Sequence, residues 1–273
     1  MITLIVGILI GLVLGLTGAG GSVFAVPLLM LLLALTPQEA MGLSLGAVAI
    51  SAFIGSLSRL KSNDIHWVSA AVYAAIGSAV APLGNWLNRQ SDDQMLMLAF
   101  SALVLIIAVR MWRQAQTSPQ TTTLVRANIQ SPKEAPQAVC QLDTAQQLSV
   151  GLPCVLSISV GAILTGFLSG LLGVGGGFLI VPTLLMLTGI NMQKAVATSL
   201  VIITAISTSG FIAYLSAGNV INTTLLTWLA LGGVTGMGLG MLLSRHISGP
   251  NLQKTFAVLM IIMAAASLLQ QLK

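Results

Sequence analysis

Ten long stretches of this chain are nearly free of Asp, Glu, Lys and Arg: residues 2–16, 23–35, 40–58, 66–87, 95–109, 152–171, 178–190, 195–217, 222–243 and 252–269. Several approach the roughly 20 apolar residues that a helix needs to cross about 30 Å of hydrocarbon. Backbone groups in lipid must be satisfied internally, so only helices or closed barrels can span. A barrel strand would alternate apolar and polar residues, and these runs do not alternate. One such run could be a core helix of a soluble protein, but ten in 273 residues could not, because only 6% of the chain is charged. A soluble domain carries about 25%. The fold class is therefore an all-α polytopic membrane protein. The net charge of +5 comes from bases scattered at helix ends, which fits membrane topology and not a clustered nucleic-acid face. Residues 1–21 lack a positively charged leader and recur internally, so they are read as mature protein. Cys140 and Cys154 are too few and too isolated for a disulfide framework or metal centre.

The chain repeats itself at an offset of 155 residues. Gly15-Leu16-Thr17-Gly18-Ala19-Gly20-Gly21-Ser22 followed by Val26-Pro27 matches Gly170-Leu171-Leu172-Gly173-Val174-Gly175-Gly176-Gly177 followed by Val181-Pro182. In the same register Gln38, Ala40, Ser44, Leu45, Gly55 and Gly77 fall on Gln193, Ala195, Ser199, Leu200, Gly210 and Gly232. After a one-residue slip, Gly84, Arg89 and Phe100 fall on Gly240, Arg245 and Phe256. The organisation predicted is a first membrane repeat over 1–112, a polar flexible linker over 113–149, and a second membrane repeat over 150–273. The linker is rich in Gln, Thr, Ser, Pro and Ala, without helical period.

Segment 2–35 would run about 50 Å as one straight helix, longer than the hydrocarbon is thick. Gly18, Gly20, Gly21 and then Pro27 are where it would break, as are Gly173–Gly177 and Pro182 in the second copy. Each repeat thus combines a Gly-broken or re-entrant helical segment with three transmembrane helices. If each broken segment crossed once, the halves would be parallel. Arg59, Lys61, Arg110, Arg113, Arg126, Lys133 and Lys273 would then lie inside, against Arg89, Lys194, Arg245 and Lys254 outside. If each were a hairpin, the halves would be inverted. Lys194, Arg245 and Lys254 would move inside and Lys273 out, a ratio of nine to two that the positive-inside rule prefers. Inverted repeats with broken helices are also a recurring transporter plan. Segment 152–171 is long enough to span alone, which keeps the parallel arrangement open.

In both arrangements a helix restarts after Gly20-Gly21-Ser22 and again after Gly175-Gly176-Gly177. A helix N-terminus offers unpaired N–H groups and about half a positive charge, and glycine lets a ligand come close to them. Two such ends would bind a small anion without a buried Arg or Lys. The candidate substrate-binding residues are Gly18, Gly20, Gly21, Ser22, Ser44, Gly173, Gly175, Gly176, Gly177, Thr198 and Ser199, with Pro27 and Pro182 as break or gating positions. For Ser44, Thr198 and Ser199, donation to an anion and bonding back to their own helix are equally open. Asn85, Thr204, Ser207, Thr208 and Ser209 are weaker candidates. Glu39 reads as part of a capping box with Thr36 and Pro37, and Asn191 as the corresponding cap in the second copy. Paired acids, a His-rich cluster or a Ser–His or Cys–His pair at one depth would signal an enzyme, and none is read here. The expectation is a transporter, not an enzyme, with no metal, no cofactor and no nucleic-acid partner.

The duplicated glycine motif with its Val-Pro, the Gln38-Glu39-Ala40 and Ser44-Leu45 stretch, and Gln193-Lys194-Ala195 with Thr198-Ser199-Leu200 resemble the sulfite and organosulfonate exporter family called TauE/SafE. The similarity covers the chain apart from its linker, which is longer than expected for the family. The resemblance implies a multi-pass permease of the bacterial cytoplasmic (inner) membrane; the linker is expected on the cytoplasmic side, the placement on which the charge counts above rest. Its substrate would be a small sulfur-containing anion such as sulfite, a sulfonate or thiosulfate. A transporter of another small solute such as a carboxylate, or a non-transport assembly partner in the membrane, remains the alternative. Ser22 stands where the second copy has Gly177, and Thr17 where it has Leu172, so the two faces of the site would differ.

Overall fold

A computed structural model of the chain describes residues 2–18, 21–60, 64–91, six positions between 95 and 105, 152–188, 190 and 192–243. The linker 113–149, the run 252–269, Gly20 and Asn191 lie outside the described residues. Among the described residues all regular structure is helical. Among the described residues eight continuous helices follow in order, with further helical positions between 95 and 105: α1 Ile2–Thr17, α2 Gly21–Leu33, α3 Pro37–Arg59, α4 Trp67–Gln90, α5 Leu152–Leu172, α6 Gly177–Thr188, α7 Met192–Ser216 and α8 Thr223–Leu243. Five of them, α3, α4, α5, α7 and α8, contain stretches long and apolar enough to cross a membrane. The outer surface is itself apolar: Ile5, Phe53, Leu83, Leu156, Leu164 and Leu239 all expose about half of their area or more. Water would penalise that surface, whereas lipid tails do not. Trp67, Trp86 and Trp228 are exposed near helix ends, where interfacial aromatics anchor.

Local chemistry sets the helix starts. Thr36 caps α3, accepting from the Glu39 N–H at 3.4 Å, while Glu39 Oε2 accepts from the Thr36 N–H at 3.2 Å, and Pro37 occupies the first turn. This is the capping box that the sequence pattern predicts. Asn222 Oδ1 accepts from the N–H groups of Thr224 and Leu225 at 3.1 and 3.2 Å and starts α8. Pro27 and Pro182 were expected at the breaks, but they lie inside α2 and α6. A proline removes one backbone hydrogen bond without ending a helix that its neighbours hold in place. The interruptions fall at the glycines alone.

Two close helix pairs frame the bundle. In the first, α1 lies against α8 through small residues: a Cβ on Gly7, Gly11 or Gly15 would come within 2.5, 2.0 or 2.4 Å of the carbonyl oxygen of Leu229, Gly233 or Met237. In the second, α4 lies against α5, and a Cβ on Gly170 or Gly166 would come within 1.9 or 2.5 Å of the Ala81 or Gly77 oxygen. The contacts advance together along both chains, so each pair is parallel. Between them α3 and α7 run antiparallel: Gly42 faces Tyr214, Gly46 faces Phe211 and Gly55 lies near Leu200. The buried core of Phe24, Leu29, Leu45, Ile180, Leu184, Leu200 and Ile206 fills the space between these helices and the short α2 and α6.

Candidate substrate site between two interrupted helices

The chain reverses at each glycine motif. Gly18 (φ +69°) follows α1, and Gly21 then packs back on it, where a Cβ would lie 2.4 Å from Leu14 N and 2.6 Å from Ile10 O. In the second motif Gly173, Gly175 and Gly176 adopt φ of +66°, +71° and +65°, a region that side chains rarely tolerate. Gly176 then packs on Thr165 and Ser169 of α5, 155 residues beyond the contacts of Gly21. Both short helices therefore run back beside the helix that precedes them.

The carbonyl ends left by α1 and α5 are held by side chains from across the bundle. The Ser199 hydroxyl reaches the Gly18 oxygen at 3.0 Å and the Val196 oxygen at 2.8 Å. The Ser44 hydroxyl reaches the Gly173 oxygen, and the Met41 oxygen at 3.0 Å. Asn88 Nδ2 donates to the Leu171 oxygen at 2.6 Å. Helix C-termini carry orphan acceptors and partial negative charge, and these donors neutralise part of it beside the breaks. Ser44 and Ser199 thus bond both to their own helix and to a broken one.

The N-terminal ends of α2 and α6 meet near Gly175. A Cβ there would stand 2.7 Å from Ser207 Oγ of α7, 3.4 Å from Val48 Cγ1 of α3 and 3.6 Å from Ser22 Cβ of α2. Gly176 precedes α6, and its carbonyl accepts from the Leu179 N–H at 3.1 Å. It has no side chain to cap the remaining first-turn N–H groups. Ser22, Gly21, Gly173, Gly175, Gly176 and Gly177 are all buried, so a ligand here would be withdrawn from bulk solvent.

Thr198 has a different placement. Its hydroxyl, fully buried, accepts from the His66 N–H at 3.0 Å and so ties the start of α7 to the start of α4. His66 caps α4 in turn, with Nδ1 3.4 Å from the Ser69 N–H and 3.0 Å from Ser69 Oγ. Burial, and then the positive charge of Lys194, hold the His66 imidazole below its ordinary pKa. Of the weaker candidates, Asn85 Nδ2 donates to the Gly210 oxygen at 3.3 Å, Thr204 bonds back to Leu200, and Ser209 donates to the Ser78 oxygen. Thr208 is exposed. Sequence reasoning missed Asn88, which sits just past the apolar run of α4. An uncharged amide at the very end of an apolar run was the available signal.

The profile of the family described as "Sulfite exporter TauE/SafE" matches residues 3–267. The chain belongs to that family. A relative from Xylella fastidiosa strain Temecula1, named "Probable membrane transporter protein", is 33% identical over 269 residues, covering 97% of this chain and 93% of the relative. Another from Bacillus subtilis strain 168, "Probable membrane transporter protein YunE", is 26% identical over 268 residues, with coverage of 95% and 92%. "Probable membrane transporter protein MJ0441" of Methanocaldococcus jannaschii is 25% identical over 219 residues, covering 78% of this chain and 72% of its own. No solved structure matches the chain. As a TauE/SafE protein with five helices of membrane-spanning length among the described residues, it is a multi-pass membrane transporter, and the family is one of permeases, not enzymes.

Proposed function

We propose that this permease carries a small sulfur-containing oxyanion, of the sulfite, sulfonate or thiosulfate kind, through a site between the two glycine-broken helices of an inverted repeat. The observation that carries the reading is the meeting of the α2 and α6 N-termini at Gly175, with Ser44, Ser199 and Asn88 occupying the nearby carbonyl ends. Such a place is electropositive without a basic side chain and suits an anion that sheds water to enter. The family description, sulfite exporter, supports the sulfur-oxyanion class.

Several contacts support duplication with inversion. A Cβ on Gly240 would meet Leu12 O, Gly15 Cα and Leu16 N, and one on Gly84 would meet Phe167 O, Gly170 C and Leu171 N, the same set displaced by 155 residues. Gly18 faces Val196 while Gly173 faces Met41, again at that offset. Equivalent helices α3 and α7 run antiparallel. The His66–Thr198 bond brings the end of the bundle bearing Arg59 together with Lys194, as the hairpin arrangement and its charge ratio require. In this reading α1–α2 and α5–α6 are re-entrant hairpins entering from opposite faces. The membrane is the bacterial cytoplasmic membrane, with the linker on its inner side.

Purified protein in liposomes, given a panel of radiolabelled sulfite, thiosulfate, taurine and acetate, tests the substrate class. The reading expects saturable uptake of at least one sulfur oxyanion, inhibited by the others. Uptake of acetate alone would move the protein to carboxylates, and uptake of none would remove the transport claim for this panel.

A further inference from the structure

Most of the described helical Ser and Thr residues spend their proton on a backbone carbonyl. Ser51, Ser56, Ser58, Ser78, Thr165 and Thr204 each donate to an oxygen three or four residues back. Such back-bonding is how a hydroxyl is normally satisfied in an apolar bundle. Ser207 is an exception. It is fully buried, and its Oγ has no hydrogen-bond partner among the described residues. Leaving a buried hydroxyl unpaired costs about 1–3 kcal/mol, so a site that retains one calls for an explanation.

Position supplies it. Ser207 Oγ lies beside Gly175, 2.7 Å from where a Cβ would stand and two residues ahead of the α6 N-terminus, with Ser22 Cβ of α2 3.6 Å from the same point. The fold does not need the hydroxyl. The 155-residue register places Ala52 at the equivalent position of α3, and that alanine is also fully buried. One copy of the repeat thus packs a methyl group where the other carries an unpaired donor. We infer that Ser207 is a binding residue of the permease, its hydroxyl donating to an oxygen of the anion held between the α2 and α6 N-termini. The inference rests on the anion-site reading above and makes that site one-sided: a hydroxyl donor, Ser207, on the α7 flank, and the apolar Val48 on the α3 flank.

Ser169 supplies an internal comparator. It is also buried and unpaired among the described residues, but it lies against Gly176 within the α5–α6 hairpin. Its removal tests the effect of deleting a buried orphan hydroxyl on the α5 side of Gly176 rather than on the α7 flank of Gly175.

The experiment follows the thermal unfolding of the purified full chain as sulfite, thiosulfate or acetate is titrated, for wild type, Ser207→Ala and Ser169→Ala. In wild type at least one anion raises Tm saturably. Without anion, Ser207→Ala unfolds at the wild-type temperature or above it, because the variant deletes an unsatisfied group. Its half-saturating anion concentration rises roughly 10- to 100-fold, the loss of one hydrogen bond to a charged group. Ser169→Ala keeps the wild-type half-saturation. An unchanged half-saturation in Ser207→Ala overturns the inference and leaves the anion site standing, as does an equal weakening in Ser169→Ala. If acetate alone binds, and Ser207→Ala weakens it, the inference holds and the sulfur-anion reading falls. A wild type that no anion stabilises overturns both.

Discussion

Replacing Gly236 by alanine tests the packing that frames the site, and Gly238 provides the control two residues away on the same helix. A Cβ at Gly236 would lie 2.1 Å from the Ile8 oxygen, 2.8 Å from its carbonyl carbon and 2.9 Å from its Cα, whereas ordinary contact begins near 3.4 Å. All three atoms are backbone, so no side-chain rotation relieves the overlap, and α1 must move away from α8 by about 1 Å. That movement also opens the approaches at Gly7, Gly11, Gly15 and Gly240, each now within 2.5 Å of a backbone oxygen for a built Cβ. Overpacking of this kind costs about 1–3 kcal/mol, against a gain of about 0.5–1 kcal/mol in helix propensity. The net expectation is a loss of about 1–2 kcal/mol. At Gly238 a Cβ meets nothing within 4 Å among the described residues, so only the propensity gain remains. Thermal unfolding in detergent should show Gly236→Ala melting several degrees below wild type, roughly 2–8 °C on the scale of ~2–4 °C per kcal/mol. Gly238→Ala should melt at the wild-type temperature or slightly above. Equal stability of the two variants would refute the assigned α1–α8 interface.

Ser199→Ala and Ser44→Ala each leave a buried glycine carbonyl beside a break without its hydroxyl donor, and each should lower stability by about 1–3 kcal/mol. The same two variants with unaltered melting would show that the breaks are held by something else. His66 gives a pH signature. Its folded pKa is lowered from 6.5 by burial and then by Lys194, so protonation favours the unfolded chain. The contribution is therefore fully present above about pH 6.5 and is lost as pH falls through the lower folded value. Wild type should lose Tm below pH 6.5 relative to His66→Asn, which keeps a capping acceptor but has no proton to gain. Parallel curves for the two proteins would discount that role.

The charge-free runs made helices legible from the sequence, and Thr36-Pro37-Gln38-Glu39 placed the start of α3 by capping chemistry alone. The glycines at 18–21 and 173–177 located the interruptions, because a helix of that length does not fit the bilayer. Pro27 and Pro182 misled for a physical reason: once glycine has turned the chain, a later proline merely costs α2 and α6 one hydrogen bond. Helix pairing was not legible. The α1–α8 and α4–α5 contacts are backbone on backbone, so no side chain announces the partner. Lipid-facing Leu156 and core-facing Leu184 are equally apolar, which removes the polar-out signal that a soluble helix would give. Ser44 and Ser199 could not be assigned between self-bonding and another partner because their acceptors, the Gly173 and Gly18 oxygens, lie 129 and 181 residues away. Ser207 stood in a Ser-Thr-Ser run with nothing in the sequence to distinguish it from its neighbours. Only burial without a partner does so.

The most direct test of the account is uptake of radiolabelled sulfite and thiosulfate into liposomes containing wild type or Gly175→Ala. Gly175 has φ +71°, and a Cβ there would press on Ser207 Oγ at the junction of α2, α3 and α7. Left-handed strain of about 1–2 kcal/mol should leave the protein folded, as size-exclusion chromatography and Tm would verify. The account predicts saturable uptake by wild type and loss of most of it in the folded variant. Wild-type uptake rates in folded Gly175→Ala would contradict an anion path between the broken helices.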